Sequence, residues 1–305
     1  FGDVSWTRRE SCLECPSMDE ASFHGLSYAE FRTRVPIATA ATIVDADIAA
    51  TVEQNLRELM ASWSDADIDS ARAAIANVGA EGVLNEANPL IREAGRVWTR
   101  AVLANSRLEG VDHLVSVAEG RPVAVVCNHQ SYIDSNAIDL ILSSHDQDAL
   151  AARFVSAAGP KVYDGLFRRV ASASLNTIPV PQSTAFDHTE KLSRRELARR
   201  SLAAVSESHA AMKQGYLLLI YPEGSRTRTG KLQPFLSAVY RYFKQPGTVI
   251  VPAALEGTST VMGVGASRIQ PSPCTLRFGP AIDVDEVGGP RSALDVAATR
   301  DAELL

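Results

Sequence analysis

The sequence predicts an α/β fold: a mixed, largely parallel sheet flanked by helices, with a helical N-terminal region in front of it. Three observations predict it. Through about residue 104 apolar positions recur at helical spacing, and no strand is evident before Pro122. Beyond Pro122, apolar runs of strand length alternate with helical patterns, the arrangement that gives parallel pairs covered by helices on both faces. At 305 residues and 46% hydrophobic content, the chain can bury one large core and carry an appendage.

Residues 1–40 have little periodicity and read as an irregular segment, 41–95 as a helical region and 96–305 as the α/β domain. From Asp45 to Trp63, Ile48, Val52, Leu56 and Leu59 or Met60 mark a helix. Ser64 or Asp65 caps a second helix to about Ala76, and Asn88-Pro89 opens a third through about Ala104. Val123–Cys127 is an unbroken apolar run, so it reads as a strand buried on both faces, followed by a helix over about Ser135–Leu142. Arg153–Ala157 is a strand, Lys161–Val170 a short helix, and Thr177–Val180 a strand interrupted by Pro179. Ser193-Arg-Arg-Glu196 has the spacing of a capping box for a helix running to Lys213, which Gly215 ends. Strands over Tyr216–Tyr221, Thr248–Ala254 and Thr275–Ile282 and a helix near Leu236–Phe243 complete the pattern.

Composition narrows the function. The net charge is −6, yet between Lys191 and Lys244 eleven Lys and Arg face three Glu, a local balance of +8. Such a surface suits phosphate, an acidic carrier protein or anionic headgroups. Without a basic patch interleaved with aromatics, nucleic acid is not expected as a partner. No apolar run approaches the roughly 20 residues a bilayer crossing needs. The N-terminal FGDVSWTRRE has neither a starting Met nor a signal-like apolar region and reads as a fragment or processed end. The expected localisation is cytoplasmic, with a possible peripheral contact at a membrane surface. Four cysteines do not make a disulfide framework in a chain this long. Cys12 and Cys15 form a lone CxxC with only His24 nearby, short of the four ligands of a structural zinc, so no metal is assigned.

Two stretches carry chemistry. In VVCNHQSYIDSNAIDLI, residues 125–141, Asn128 and His129 close a buried strand and Asp134 opens the next apolar helix. Catalytic groups collect at that place, outside the carboxyl ends of strands in an open sheet. Histidine suits a general base, and a carboxylate on its other nitrogen fixes the tautomer and stabilises the imidazolium. Ser131 reads as a helix-opening residue. In LLLIYPEGSRTRTGKLQPF, residues 217–235, a strand ends at Pro222 and Glu223, Gly224, Ser225, Arg226, Arg228 and Lys231 follow. Two arginines at i and i+2 with a lysine nearby make an anion site. A phosphate-binding Walker loop is excluded, because five residues separate Gly224 from Gly230 and Leu232 stands where the magnesium-binding hydroxyl belongs.

The ordered pair of stretches resembles the glycerophosphate acyltransferase superfamily. Its N-H-x4-D hallmark is Asn128-His129-Gln130-Ser131-Tyr132-Ile133-Asp134, and its [FY]-P-E-G-[TS]-R hallmark is Tyr221-Pro222-Glu223-Gly224-Ser225-Arg226. A third block matches at Val251-Pro252-Ala253-Ala254, and the resemblance spans about residues 95–285. It implies transfer of a fatty acyl group to a glycerophosphate hydroxyl without a cofactor, acyl-CoA or acyl carrier protein being the co-substrate. His129 and Asp134 would be catalytic, and Glu223, Gly224, Ser225, Arg226, Arg228 and Lys231 would bind substrate. Backbone amides of the Gly224 loop are candidate donors to the oxyanion, and Glu223 is expected to hold an arginine or accept from a glycerol hydroxyl. Glycerol-3-phosphate is the expected acceptor, favoured by the helical N-terminal region. The Tyr221-Pro222-Glu223-Gly224 spelling favours the alternative, 1-acylglycerol-3-phosphate. An acyl thioesterase and a non-catalytic lipid-binding module are remoter readings. One block departs from the family: the strand closed by Asp-Arg in many members is Ile178-Pro179-Val180-Pro181-Gln182 here, with no basic residue in register. Arg168, Arg169, Lys161 and Lys191 are the candidates to replace it.

Overall fold

The computed structural model describes residues 20–80, 83–181 and 193–305. Helices α1 (Glu20–Gly25), α2 (Tyr28–Ala40), α3 (Ala46–Ala61), α4 (Asp65–Asn77) and α5 (Pro89–Val102) come first. Their starts follow local chemistry. Ser27 and Glu30 form a reciprocal capping box for α2, and Ser64 and Asp67 do the same for α4. Asp45 and Asn88 cap α3 and α5, with Pro89 in the first turn where its missing N–H costs nothing. Residues 20–40 are therefore largely helical and not irregular. The helix α2 hid because its buried positions, Phe31, Pro36, Ala38 and Ala40, do not follow a clean helical repeat. Residues 1–19, with Cys12 and Cys15, lie outside the described part, as does Lys191.

The strands and remaining helices alternate: β1 (Arg107–Glu109), α6 (Asp112–Val115), β2 (Val123–Cys127), α7 (Asp134–Ser143), α8 (Asp148–Arg153), β3 (Phe154–Ala158), α9 (Leu166–Ala173), β4 (Asn176–Pro179), α10 (Arg194–Lys213), β5 (Leu217–Ile220), β6 (Val249–Glu256), α11 (Thr258–Met262), β7 (Thr275–Phe278), β8 (Ile282–Asp283) and α12 (Pro290–Leu304). They form one sheet in the order β1-β7-β6-β2-β5-β3-β4, with β8 paired to β6. The pairs β1–β7, β6–β2, β2–β5, β5–β3 and β3–β4 are parallel, while β7 and β8 run antiparallel to β6. The expected mixed, largely parallel sheet is what forms.

Several elements differ from expectation for local reasons. The strand β1 precedes Pro122 but has three residues, of which Arg107 and Glu109 are exposed, so no apolar run announces it. The stretch 161–170 divides at Gly165, whose φ of 81° breaks a 3-10 turn (Pro160–Tyr163) from α9. Residues 237–243 wind as a 3-10 helix, and the last strand divides into β7 and β8 at Gly279-Pro280.

The strand β2 sits at the centre and is buried throughout. Val123, Val125 and Cys127 face a core shared with α2–α5 and α7, and Ala124 and Val126 face a second core under α10 and α12. The helices before β1 thus share the core of the sheet, and a boundary at 95/96 falls inside α5. Asp139 on α7, nearly buried, accepts from Arg92 and Arg96 of α5 (Arg96 Nε–Oδ2, 2.8 Å), which joins the helical region to the first helix of the site.

One core position is occupied by a carboxyl. Asp301 continues the buried face of α12 after Ala293, Leu294 and Ala297, and neither carboxylate oxygen makes a well-formed hydrogen bond. Burial pushes its pKa well above the usual carboxylate range, and the nearby Ala253 amide offsets only part of that. A group with its folded pKa raised binds more protons folded than unfolded, so stability falls as pH climbs above about 4, the unfolded value, toward the folded one. Asp301→Asn should therefore raise the Tm at pH 8 while changing it little at pH 4. Thermal scans at both values check this, and an equal shift at the two would count against a buried proton.

Candidate active site

The site lies beyond the carboxyl ends of β2, β5 and β6, which run parallel there. Immediately after β2, Asn128 turns its side chain to β6: Nδ2 donates to the Leu255 carbonyl (3.0 Å), and Oδ1 accepts from the Leu255 amide (2.7 Å). Both ends of a buried amide are thereby satisfied, and the strand end is fixed. His129 comes next. Its Nδ1 meets Oδ2 of Asp134 at 2.8 Å, and that oxygen also accepts from the amides of Gln130 (2.7 Å) and Ser131 (3.0 Å). Asp134 is the first residue of α7, where the helix dipole favours negative charge. Its side chain is 1% exposed, against 18% for the imidazole. The His129–Asp134 pair expected from the spacing is present, and Nε2 has no hydrogen-bond partner among the described residues.

The second stretch holds the first in place. Glu223 Oε1 accepts from the His129 amide (2.7 Å), Oε2 accepts from the Gln233 amide (2.7 Å), and the Thr227 amide donates to the His129 carbonyl (2.8 Å). The ring of Tyr221 stacks on the imidazole, with centroids 4.3 Å apart and planes inclined by 18°. Its hydroxyl meets Ser135 Oγ at 2.8 Å, and burial pushes the phenol pKa well up, so it stays neutral. Burial also raises the pKa of Glu223, opposed by the two amides.

Some expectations change. Glu223 commits both oxygens to backbone amides and pairs with none of the arginines in its bonds above. The Gly224 amide, a candidate oxyanion donor, donates to the Tyr221 carbonyl (3.1 Å). Gly224 itself is required, since φ is 69° and a Cβ there would overlap the Leu236 side chain. Ser131 does not cap α7: its Oγ donates to the Met262 carbonyl (2.6 Å) and accepts from the Ile133 amide, tying the turn to α11.

The basic residues separate. The guanidinium carbon of Arg226 lies 3.5 Å from the ring centroid of Tyr132, within the turn between His129 and Asp134. Thr227 is buried, with Oγ1 donating to the Lys231 carbonyl, while Ser225, Arg228 and Lys231 are exposed along the same loop. Of the candidate replacements, Arg168 also reaches the Tyr132 ring, at 5.4 Å. Arg169 instead donates to the carbonyls of Ile75 and Ala76 on α4, and Lys161 is exposed on the 3-10 turn. Tyr132 and Gln233 escaped notice in the sequence. Tyr132 meets the basic loop only in the fold, 94 residues of sequence away from Arg226, and Gln233 contributes only a backbone amide, so neither had a local signal.

Residues 107–256 match the family model described as Acyltransferase. Curated relatives agree: a 1-acyl-sn-glycerol-3-phosphate acyltransferase of Cocos nucifera is 33% identical over 79 residues, 26% of each chain. These matches support the resemblance to the glycerophosphate acyltransferase superfamily. A chloroplastic 1-acyl-sn-glycerol-3-phosphate acyltransferase of Brassica napus is 24% identical over 162 residues, 53% of this chain and 40% of that one. The acyltransferase domain therefore aligns with less than half the length of these relatives. Its fold is that of the crystal structure titled 1-acyl-sn-glycerophosphate (LPA) acyltransferase, PlsC, from Thermotoga maritima, with TM-score 0.50, 16% identity, and 91% of this chain and 98% of that one covered. Among the described residues, no group of three or more His, Cys, Asp or Glu could hold a metal ion.

The acyltransferase domain's bracket at Glu223 has a stability consequence. In Glu223→Gln an NH2 replaces one acceptor and faces a backbone N–H, so one charge-assisted bond is lost, worth about 1.5–3 kcal/mol. At about 2–4 °C per kcal/mol for a large domain, Tm should fall by about 3–12 °C. Calorimetry checks this, and an unchanged Tm would rule out the bracket.

Proposed function

We propose that the protein is an O-acyltransferase that moves a fatty acyl group from a thioester, of CoA or acyl carrier protein, to the hydroxyl of a 1-acylglycerol-3-phosphate. The observation that carries the transfer chemistry is the oriented pair: Nδ1 of His129 on the buried Asp134, with Nε2 unpartnered among the described residues and the imidazole accessible. A glycerol hydroxyl is a poor nucleophile until a positioned base takes its proton. As the hydroxyl oxygen attacks the thioester carbonyl, its proton passes to Nε2. The Asp134 carboxylate, already receiving the Nδ1 proton as a hydrogen bond, stabilises the imidazolium. Collapse of the tetrahedral intermediate breaks the carbon–sulfur bond, and Nε2 returns the proton to the departing thiolate. Glu223, Asn128 and Tyr221 act by holding His129, and Arg226 faces the acceptor phosphate together with the exposed Arg228 and Lys231.

The choice of acceptor follows the relatives, which are 1-acyl-sn-glycerol-3-phosphate acyltransferases. The helical N-terminal region, which favoured glycerol-3-phosphate, does not discriminate. A match over 91% of this chain has to include most of the helices ahead of β1, and it is to a structure titled as a lysophosphatidate enzyme. Among the described residues no helix is long and apolar enough to cross a membrane. An acceptor that resides in bilayers then calls for peripheral contact with their surface.

Four measurements test the reading. With palmitoyl-CoA or palmitoyl carrier protein, 1-acylglycerol-3-phosphate should be used at least tenfold more efficiently than glycerol-3-phosphate; the reverse order would restore the simpler acceptor. Release of free acid at the same rate without acceptor would make the protein a thioesterase. His129→Ala should lower kcat by ~10²–10⁴-fold with the Tm held, the usual effect of removing a general base. Asp134→Asn should lower kcat more than it raises the acceptor KM, and an unchanged kcat would remove Asp134 from the mechanism.

A further inference from the structure

We propose that Ser135 and Ser156 are positioning residues for His129, acting through the hydroxyl of Tyr221. The inference rests on the acyl-transfer reading above and adds two side chains whose hydrogen bonds reach neither the imidazole nor Asp134. Three elements meet here: Tyr221 follows β5, Ser135 is the second residue of α7, and Ser156 stands at the middle of β3. Ser156 Oγ donates to Ser135 Oγ (3.0 Å), and Ser135 Oγ meets the Tyr221 hydroxyl at 2.8 Å. One face of that same phenol ring carries the imidazole, with centroids 4.3 Å apart.

The sheet dictates where the chain of hydroxyls begins. Phe154 and Val155 face opposite cores, so Ser156 returns to the Phe154 face, which α7 covers. A hydroxyl buried there costs free energy unless it is hydrogen-bonded, and Ser135 is its partner. A hydroxyl has one proton and two acceptor sites. Ser135 Oγ takes the Ser156 proton and bonds to no backbone group among the described residues, so its remaining contact is the phenol. In register, Ser156 pairs with Leu219, two residues before Tyr221. The strands β3 and β5 and the helix α7 thus close a triangle around the Tyr221 side chain.

The ring is thereby held at both ends. At its backbone end the Tyr221 carbonyl accepts from the Gly224 amide (3.1 Å), and at the other end its hydroxyl is pinned to α7. Asp134 directly precedes Ser135, so the first turn of α7 fixes both the partner of Nδ1 and the surface the imidazole lies on. The bond at Nδ1 orients one edge of the imidazole, and the pinned ring blocks its swing toward one side. Without the hydroxyl contact the Tyr221 ring would be fixed only through its backbone and could tilt, taking the imidazole with it.

Tyr221→Phe keeps the stacked ring and removes only the hydroxyl. It should lower kcat by roughly 3–30-fold, short of the ~100-fold that a full ångström of misplacement costs, with donor and acceptor KM within about twofold. Ser135→Ala should match it, and Ser135→Thr, which keeps a hydroxyl, should restore most of the rate. Ser156→Ala removes a donor and should act in the same direction more weakly. In the Tyr221→Phe background Ser135→Ala should cost nothing further, the non-additivity of residues that act through one bond. A kcat for Tyr221→Phe within about twofold of wild type, or full additivity of the two substitutions, would overturn the proposal. Proton NMR of the His129 ring, assigned by its loss in His129→Ala, gives a readout without turnover, because the stacked phenol ring shifts those resonances upfield. Tyr221→Phe and Ser135→Ala should each move them. Moved resonances in a protein that transfers acyl groups to no acceptor would uphold the positioning role and overturn the acyl-transfer reading. Unmoved resonances in an active enzyme would overturn the positioning role and leave that reading standing.

Discussion

The site depends on the carboxylate of Glu223, which is buried and bridges the His129 amide to the Gln233 amide. Those bonds join the turn after β2 to both ends of the loop after β5, across 94 residues of sequence. A buried, unpaired carboxylate would cost several kcal/mol, so the fold holds Glu223 only by delivering both N–H groups to it. That requirement runs both ways: wherever the loop closes on Glu223, the backbone of His129 is fixed too. The Thr227 amide on the His129 carbonyl closes the frame from the other side. With N–H and C=O both engaged and Tyr221 stacked on the ring, the imidazole retains little freedom except to exchange a proton.

The sheet supplies the other half of the precision. The strand β2 is hydrogen-bonded to β5 on one side and β6 on the other, in parallel, so all three strands deliver their following loops to one end. Asn128 extends the β2–β6 contact one residue past the ladder by pairing with the Leu255 backbone. The five-residue spacing from His129 to Asp134 then has a plain cause. One tight turn reverses the chain, and the first residue of α7 returns its carboxylate to the imidazole it has just left. A shorter spacing would start the helix before the turn could close, and a longer one would move the carboxylate off the two turn amides that hold it.

Much of this was legible in the sequence, and the remainder fails for physical reasons. The strand β2 was readable because a strand buried on both faces must be apolar throughout, and α3, α4 and α5 because Asp45, Ser64 and Asn88 are strong caps ahead of periodic residues. His129 and Asp134 were readable because their spacing and flanking elements are local. The use made of Glu223 was not, because its partners are backbone amides, which every residue but proline carries. Similarly, the approach of Arg168 to the Tyr132 ring depends on where α9 packs, a tertiary fact carried by Phe167 on Trp98 and Ser172 on Val162. The helix α12 was missed because a carboxyl at Asp301 interrupts the apolar face formed by Ala293, Leu294 and Ala297.

Three buried carboxyls around one strand end show how the fold assigns different work to the same group. Oδ2 of Asp134 receives three donors, Glu223 receives two amides, and Asp301 makes no well-formed hydrogen bond. Every hydrogen bond to a carboxylate favours its ionised form, so the two amides on Glu223 oppose the rise that burial causes there, while Asp301 has little to oppose it. Only Asp134 has an ionisable group among its hydrogen-bond donors, the imidazole of His129. Glu223, bonded to amides that cannot titrate, holds position whatever the protonation of His129. Asp301, pushed toward its neutral form by burial, packs as a small polar wedge under β6. The fold thereby separates the carboxylate bonded to the imidazole from the one that fixes the backbone around it.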